Sequence, residues 1–105
     1  SVLSKSDTWS VRKPKDGTLS WDNDVKFGVM KADLEAVEET GMLVIMETEG
    51  DPVLWINGER ARFRSAGSSH RAEVHLRKGG VEMTAMIDFT ACSSEKTCRV
   101  LIVQM

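Results

Sequence analysis

The stretch DPVLWINGERARFR, residues 51–64, decides the fold, because it has the pattern of a β-hairpin. Its Asn57-Gly58 dipeptide supplies the two positions of positive φ that a type I′ turn needs. A two-residue turn also fixes which residues lie opposite one another in the two strands. The predicted cross-strand pairs are Ile56–Glu59, Trp55–Arg60, Leu54–Ala61 and Val53–Arg62.

The two faces of this hairpin differ in character. The core face holds Leu54, Ile56, Ala61 and Phe63. The opposite face, here called the Trp/Arg face, holds Val53 and the four candidate binding residues, Trp55, Arg60, Arg62 and Arg64. Trp and Arg are enriched at binding hot spots, and an indole beside a guanidinium gives a cation–π contact of about 0.5–1 kcal/mol. This face therefore suits a protein partner or an anionic ligand.

The Trp/Arg face also has a purely structural interpretation. A second sheet or a helix would cover Trp55 and Val53, and the arginines would lie at its edge. The acidic segments of the chain itself, residues 35–39 and 47–51, would then neutralise the arginines. The two interpretations differ in one observable, which is whether carboxylates of the chain pair with these guanidinium groups.

Length and composition restrict the class of protein. The 105 residues predict one domain, residues 1–105, and 41% apolar with 29% charged residues is typical of a folded globular protein. A net charge of −2 argues against general nucleic-acid binding. No apolar run is long enough to span a bilayer. Ser1 in place of an initiating Met fits a processed terminus as well as a cut within a longer chain.

A second hairpin is predicted around Gly79-Gly80. The inner face would pair Leu76 with Met83, Val74 with Ala85 and Ala72 with Ile87. The outer face would pair Arg77 with Glu82, His75 with Thr84 and Arg71 with Asp88. The two pairs of opposite charge support this register.

The remaining segments complete a mainly-β pattern. Residues 31–40 contain good helix formers followed by Gly41, which predicts one short helix, with an acidic irregular loop as the alternative. The apolar runs 42–46 and 99–105 predict strands that are covered on both faces. About seven or eight strands in one domain predict an antiparallel β-sandwich or barrel built from hairpins. Meander pairing would place the Ile87 strand between the strands of Val74 and Val103.

Cys92 and Cys98 have five residues between them. A local disulfide is the favoured interpretation, and it would contribute about 2 kcal/mol in the chain-entropy model. Such a bond implies an extracytoplasmic protein, periplasmic or secreted. Two free thiols in a reduced cytoplasm are the alternative. A structural zinc site is disfavoured, because it needs about four ligands.

Residues for catalysis or metal binding are few. His70 and His75 fall on opposite faces of one strand, and no Gly-x-Ser-x-Gly motif is present. A small hydrolase or transferase that uses His75 or His70 is one alternative function. A periplasmic metal-binding protein that uses His75, Glu73 and Met86 is another. An ordinary surface histidine is the favoured interpretation of His75, because three mixed ligands on a flat sheet make a weak site, so no metal or catalytic site is assigned.

The sequence thus favours a non-catalytic binding module, of a small extracytoplasmic bacterial type, that uses the Trp/Arg face. Its expected partner is a protein or an anionic ligand. No cofactor, nucleic acid or transmembrane segment is expected. The apolar last strand, ending near Met105, suits the pairing of two copies through a sheet edge.

Overall fold

The computed structural model describes the backbone of residues 9–12 and 18–104 and the side chains of residues 18–103. The described strands are β1 (Trp9–Arg12), β2 (Thr18–Ser20), β3 (Phe27–Ala36), β4 (Thr40–Glu47), β5 (Asp51–Ile56), β6 (Glu59–Ala61), β7 (Arg64–Ala66), β8 (Ser69–Leu76), β9 (Gly79–Asp88) and β10 (Thr97–Gln104). These residues contain no helix. Accordingly, nothing helical in this part of the chain has the length and hydropathy of a membrane crossing.

The strands form two five-stranded sheets packed face to face. Sheet A has the order β1-β3-β9-β5-β6, and sheet B has the order β2-β10-β4-β8-β7. Neighbouring strands are antiparallel, apart from β1 and β3, which run parallel. The fold is therefore a mainly-β sandwich, which confirms the predicted fold class.

The helix predicted over residues 31–40 is wrong. Strand β3 continues to Ala36 and pairs with β9 over its whole length, from Phe27–Asp88 to Ala36–Gly79. The period-2 pattern extends into this segment, with Leu34 half-buried and Glu35 exposed on opposite faces. A ten-residue ladder outweighs the modest helix propensity of its acidic residues.

The predicted meander is also wrong, because the chain crosses between the sheets at most of its connections. Strand β9, which carries Ile87, lies between β3 and β5 in sheet A. The strands of Val74 and Val103, β8 and β10, both pair with β4 in sheet B. The Gly79-Gly80 hairpin does not form, since β8 and β9 belong to different sheets. A hairpin occurs instead between β7 and β8, through a turn at Gly67-Ser68, where Gly67 has a φ of 61°.

The core lies between the two sheets. Fully buried core side chains include Met30, Val44, Met46, Leu54, Met83, Ile87, Phe89 and Cys98. At one end of the core the rings of Trp21 and Phe89 pack with their centroids 5.4 Å apart. Gly28 is required beneath them, because a Cβ there would come within 2.7 Å of Trp21.

The two apolar runs are covered on one face only. In β4, Val44 is buried in the core while Leu43 and Ile45 point outward and are half-buried. Strand β10 follows the same rule, with Val100 inside and Val103 47% exposed. Within the described residues there is no third layer over this outer face, so the expectation of strands covered on both faces is corrected.

Candidate binding groove

The Asn57-Gly58 hairpin forms as predicted. Asn57 and Gly58 have φ values of 51° and 82°, and the pairs Leu54–Ala61, Trp55–Arg60 and Ile56–Glu59 are all present. The turn is also attached to strand β9. The Asn57 backbone N–H donates to the Glu82 carbonyl at 2.8 Å, and the Glu82 N–H donates to Asn57 Oδ1 at 2.8 Å. The turn therefore continues the β5–β9 ladder by one more pair of hydrogen bonds.

The Trp/Arg face is only partly assembled. Trp55 is half-buried on the outer face of sheet A, between Thr84 of β9 and Arg60 of β6. Arg60 and Arg62 are exposed. Within the described residues no ring–cation contact involves Trp55. The expected cation–π interaction is thus not formed, although Trp55 and Arg60 are direct neighbours.

Arg64 leaves this face altogether. Strand β6 ends at Ala61, and Arg64 begins β7, which belongs to sheet B. There it lies directly opposite Arg71. The prediction that Arg64 shares a surface with Trp55 is therefore corrected, because the chain crosses to the second sheet at residues 62–63.

A groove opens between the edges of two strands from opposite sheets. Strand β6 pairs with β5 along one edge. The edge of β8 that faces away from β4 pairs with β7 only at Ser69–Arg71. Among the described strands none pairs with the other edge of β6, and none pairs with this edge of β8 beyond Arg71. The groove between them has a volume of about 600 Å³. Its charged lining consists of Glu59, Arg60, Arg62, Glu73, His75 and Arg77.

The arginines of the groove have no carboxylate partner. In the described part of the chain, none of Arg60, Arg62 and Arg77 has an acidic oxygen within 4.0 Å. One acidic residue, Glu39, does pair with a groove residue, since its Oε1 lies 2.6 Å from Nε2 of His75, but it forms no ion pair with these arginines. Glu47 Oε1 lies 3.6 Å from Arg99 Nη1 on the outer face of sheet B. Neutralisation by residues 35–39 and 47–51 is thus not seen at these three guanidinium groups.

The two histidines have different environments. His70 is buried, and its Nδ1 lies 2.6 Å from Ser65 Oγ, while its Nε2 is buried and has no hydrogen-bond partner among the residues that the structure describes. Within the described residues no carboxylate orients this pair, so it lacks the third member of a catalytic triad. His75 is exposed and reaches the groove, whose described lining contains no Ser, Thr or Cys nucleophile. The hydrolase hypothesis therefore gains no oriented catalytic group.

The metal-binding hypothesis fails on geometry. His75 and Glu73 lie on β8 of sheet B, but Met86 lies on β9 of sheet A. The sequence placed them together only because it paired β8 with β9. Elsewhere in the described residues no group of three or more His, Cys, Asp or Glu side chains is arranged to hold a metal ion.

The predicted disulfide is not formed, and both cysteines are free. Cys92 lies after β9 with its Sγ 3.4 Å from Ser94 Oγ, whereas Cys98 points into the core from β10. Burial, together with the negative charge of Glu47, raises the pKa of Cys98 to about 12. Cys98 therefore remains a protonated thiol near neutral pH. The extracytoplasmic location rested on this disulfide and is left without that support.

Arg77 is part of the groove, which the sequence pattern does not predict. The predicted partner of Arg77 is Glu82, but in the structure Glu82 lies 3.7 Å from Lys31 instead. A sequence signal did exist, since the segment that contains Arg77 and Lys78 precedes the flexible Gly79-Gly80 pair. Interpreted as a connection between sheets, this basic segment would have been placed at an edge of the sandwich.

Comparisons with known proteins concern the fold alone. No family model matches the chain, and no curated protein matches it. The pre-peptidase C-terminal domain of a collagenase from Bacillus anthracis is similar in structure, with a TM-score of 0.57 at 8% identity, over 95% of this chain and 99% of that domain. A β-glucosidase from Kluyveromyces marxianus is similar over 75% of this chain, with a TM-score of 0.56 at 12% identity. The chain spans only 11% of that enzyme's length. The class defined by these similarities is a β-sandwich domain.

Proposed function

We propose that this β-sandwich is a non-catalytic binding module that takes an acidic peptide segment into the groove between β6 and β8. The observation that carries the proposal is the set of three arginines, Arg60, Arg62 and Arg77, around one groove, none of which pairs with a carboxylate of the described part of the chain. Glu59 and Glu73 also line the groove, so three arginines and two glutamates give it a formal charge of +1 with His75 neutral, against −2 for the whole chain. An acidic ligand would supply carboxylates that pair with these three guanidinium groups.

The shape of the groove favours an extended peptide over a compact anion. Beyond Arg71, strand β8 is paired on the β4 side only, and the far side of β6 has no described partner. Open strand edges present N–H and C=O groups to which a peptide can add as a further strand. Carboxylates on alternate residues of such a peptide would then point toward the same side as the arginines, because side chains alternate along a strand.

The strength of an Arg–carboxylate interaction depends on the geometry of its hydrogen bonds. Arg can bind a carboxylate through two parallel N–H···O bonds, which are stronger than neutral hydrogen bonds. These side chains are exposed, so salt weakens their attraction for a ligand over a Debye length of about 10 Å at 0.1 M. Binding that is specific for the groove should therefore show both salt dependence and a requirement for particular arginines.

The test is isothermal titration of the protein with a glutamate-rich peptide of about ten residues, long enough to lie along one strand edge. A lysine-rich peptide of equal length is the ligand control. In the variant Arg60→Ala/Arg62→Ala we expect binding to weaken about tenfold or more, with an unchanged melting temperature. The matched control is Lys31→Ala/Arg99→Ala, which removes the same charge from side chains that pair with Glu82 and Glu47.

Three outcomes would contradict the groove as the binding site. Equal weakening by both double variants would show that only net charge matters. Equal binding of the acidic and basic peptides would show that the arginines do not select the ligand. A large loss of stability in Arg60→Ala/Arg62→Ala would make the arginines structural, contrary to their exposure.

A further inference from the structure

The outer face of sheet B carries an apolar patch on two adjacent strands. Leu43 and Ile45 of β4 pair with Val103 and Leu101 of β10. Leu43, Ile45 and Leu101 are half-buried, and Val103 is 47% exposed. These four residues are called the outer patch below. Core packing does not explain it, since the alternate residues of the same strands already fill the core.

Unpaired charges of both signs lie beside the outer patch on strand β8. Arg71 is the cross-strand neighbour of Ile45, and Glu73 is that of Leu43. Both are exposed, and within the described residues neither forms an ion pair. Arg64 lies opposite Arg71 on the other side, and like charges directly across a strand pair are destabilising. The intramolecular arrangement thus leaves one basic row and one acidic row without partners.

We propose that the outer patch binds a second copy of this chain, sheet against sheet, about a two-fold axis that runs across the strands. Such an axis places the row of Arg71, Ile45 and Leu101 over the neighbouring row of the second copy. Arg71 then faces Glu73 of the partner subunit, and Glu73 faces Arg71 of the partner subunit. Both ion pairs lie between the two β8 strands, and the Leu, Ile and Val side chains of the two outer patches meet beside them, on β4 and β10.

The choice of a second copy rests on this self-complementarity. The two neighbouring rows are Arg71–Ile45–Leu101 and Glu73–Leu43–Val103, and the two-fold axis places each over the other. On β8 the two rows carry opposite charges, and on β4 and β10 both are apolar. Sheets that pack face to face lie about 10 Å apart with strands within about 30° of alignment, which this axis permits. An isologous contact of this kind closes after two copies.

The available area sets the expected affinity. A surface of four strands, with four outward-facing side chains on each strand, measures about 27 Å along the strands and about 19 Å across them. Its area is therefore roughly 500 Å² per copy. A standard interface uses about 800 Å² per partner. The proposed dimer is therefore weak and depends on concentration, with a dissociation constant in the micromolar range or above.

The test is sedimentation equilibrium of the protein from micromolar to submillimolar concentration. We expect a reversible monomer–dimer equilibrium. Arg71→Glu and Glu73→Arg should each weaken dimerisation about thirtyfold or more, because each substitution creates two like-charge contacts across the axis. An equimolar mixture of the two variants should restore the dimer, since all contacts across the axis then join opposite charges.

Glu73 lines both the binding groove and this surface, so the controls use residues that belong to only one of the two. Arg60→Ala/Arg62→Ala should dimerise like the unaltered protein, and Leu43→Lys should abolish the dimer while circular dichroism shows the sheet intact. A protein that is monomeric at every concentration overturns the proposal. So does a dimer that Arg71→Glu leaves unchanged, or a mixture of the two charge variants that stays as monomeric as each variant alone.

Discussion

Two connections in this chain have almost the same sequence pattern and opposite structural outcomes. Asn57-Gly58 and Gly79-Gly80 both stand between segments of alternating apolar and polar residues. The first joins β5 to β6 as a hairpin within sheet A. The second lies at the start of β9, after the chain has crossed from sheet B to sheet A.

Backbone conformation accounts for the difference. Asn57 and Gly58 both have positive φ, as a type I′ turn requires. At the second connection Gly79 has a φ of 123°, but the φ of Gly80 is not positive. The alternation in β8 and β9 correctly indicates their inner faces, since Leu76 and Met83 are buried. It does not indicate the partner strand, because both sheets of a sandwich share one core.

The largest expected effect tests the position of β9 in the middle of sheet A. Thr84 lies between Lys31 of β3 and Trp55 of β5, so its N–H is part of a ladder on one side or the other. Thr84→Pro should destabilise the protein by about 3 kcal/mol or more, or prevent folding. Chemical denaturation followed by circular dichroism measures this. Thr84→Val keeps the N–H and should remain folded.

If β9 instead formed a simple hairpin with β8, one edge of β9 would be open. The Thr84 N–H would then face either β8 or solvent, and in the second case Thr84→Pro would have only a small effect on stability. A stable Thr84→Pro variant would therefore contradict the sheet order of the structure.

The next effect distinguishes the two connections directly. A Cβ at Gly79 would meet no atom within 4 Å, but the φ of 123° is strained for any other residue. Gly79→Ala should therefore cost about 2–3 kcal/mol, and Gly58→Ala, at a φ of 82°, about 1–2 kcal/mol. Gly80→Ala should be nearly neutral, since it has neither strain nor close neighbours. Urea unfolding midpoints of the three variants would measure the series. Equal costs at Gly79 and Gly80 would instead indicate a type I′ turn.

Local signals in the sequence were sufficient for the fold class and for one hairpin register. The two residues of the Asn57-Gly58 turn determine the turn type and the register, and the predicted cross-strand pairs are present in the structure. The order of strands was not predictable in the same way, because it depends on contacts between segments far apart in sequence. Residues 31–36 show the limit of propensity, since pairing with β9 makes a strand of residues that favour a helix.

The candidate site was predictable only in part. Arg60 and Arg62 belong to a locally determined hairpin, and the structure places both at one groove. Arg77 reaches the same groove from the end of β8, and the basic segment before Gly79-Gly80 indicates a connection at a sheet edge but not which hairpin it meets. The Cys92–Cys98 disulfide failed for a related reason. Proximity in sequence does not imply that two side chains face each other, and Cys98 points into the core.

A smaller effect tests how the Asn57-Gly58 turn is attached to β9. Asn57 Oδ1 accepts a hydrogen bond from the Glu82 N–H at 2.8 Å. Asn57→Gly keeps the freedom to adopt positive φ but removes this acceptor, and should cost about 1 kcal/mol. Thermal unfolding measures the loss, and amide hydrogen exchange at Glu82 should become faster. An unchanged exchange rate at Glu82 would mean that the side chain of Asn57 contributes only its backbone preference.

The smallest effect asks which cation Glu82 recognises. The structure pairs it with Lys31 across β3 and β9, at 3.7 Å, whereas a Gly79-Gly80 hairpin would pair it with Arg77. Both side chains of the observed pair are more than a third exposed, so a double-mutant cycle of Lys31→Ala and Glu82→Ala should give only about 0.2–0.5 kcal/mol. The cycle of Arg77→Ala and Glu82→Ala should give no coupling. Because the two cycles share the Glu82 variant, a reversal of their order would assign Glu82 to β8 and restore the hairpin that the structure replaces with a crossing between sheets.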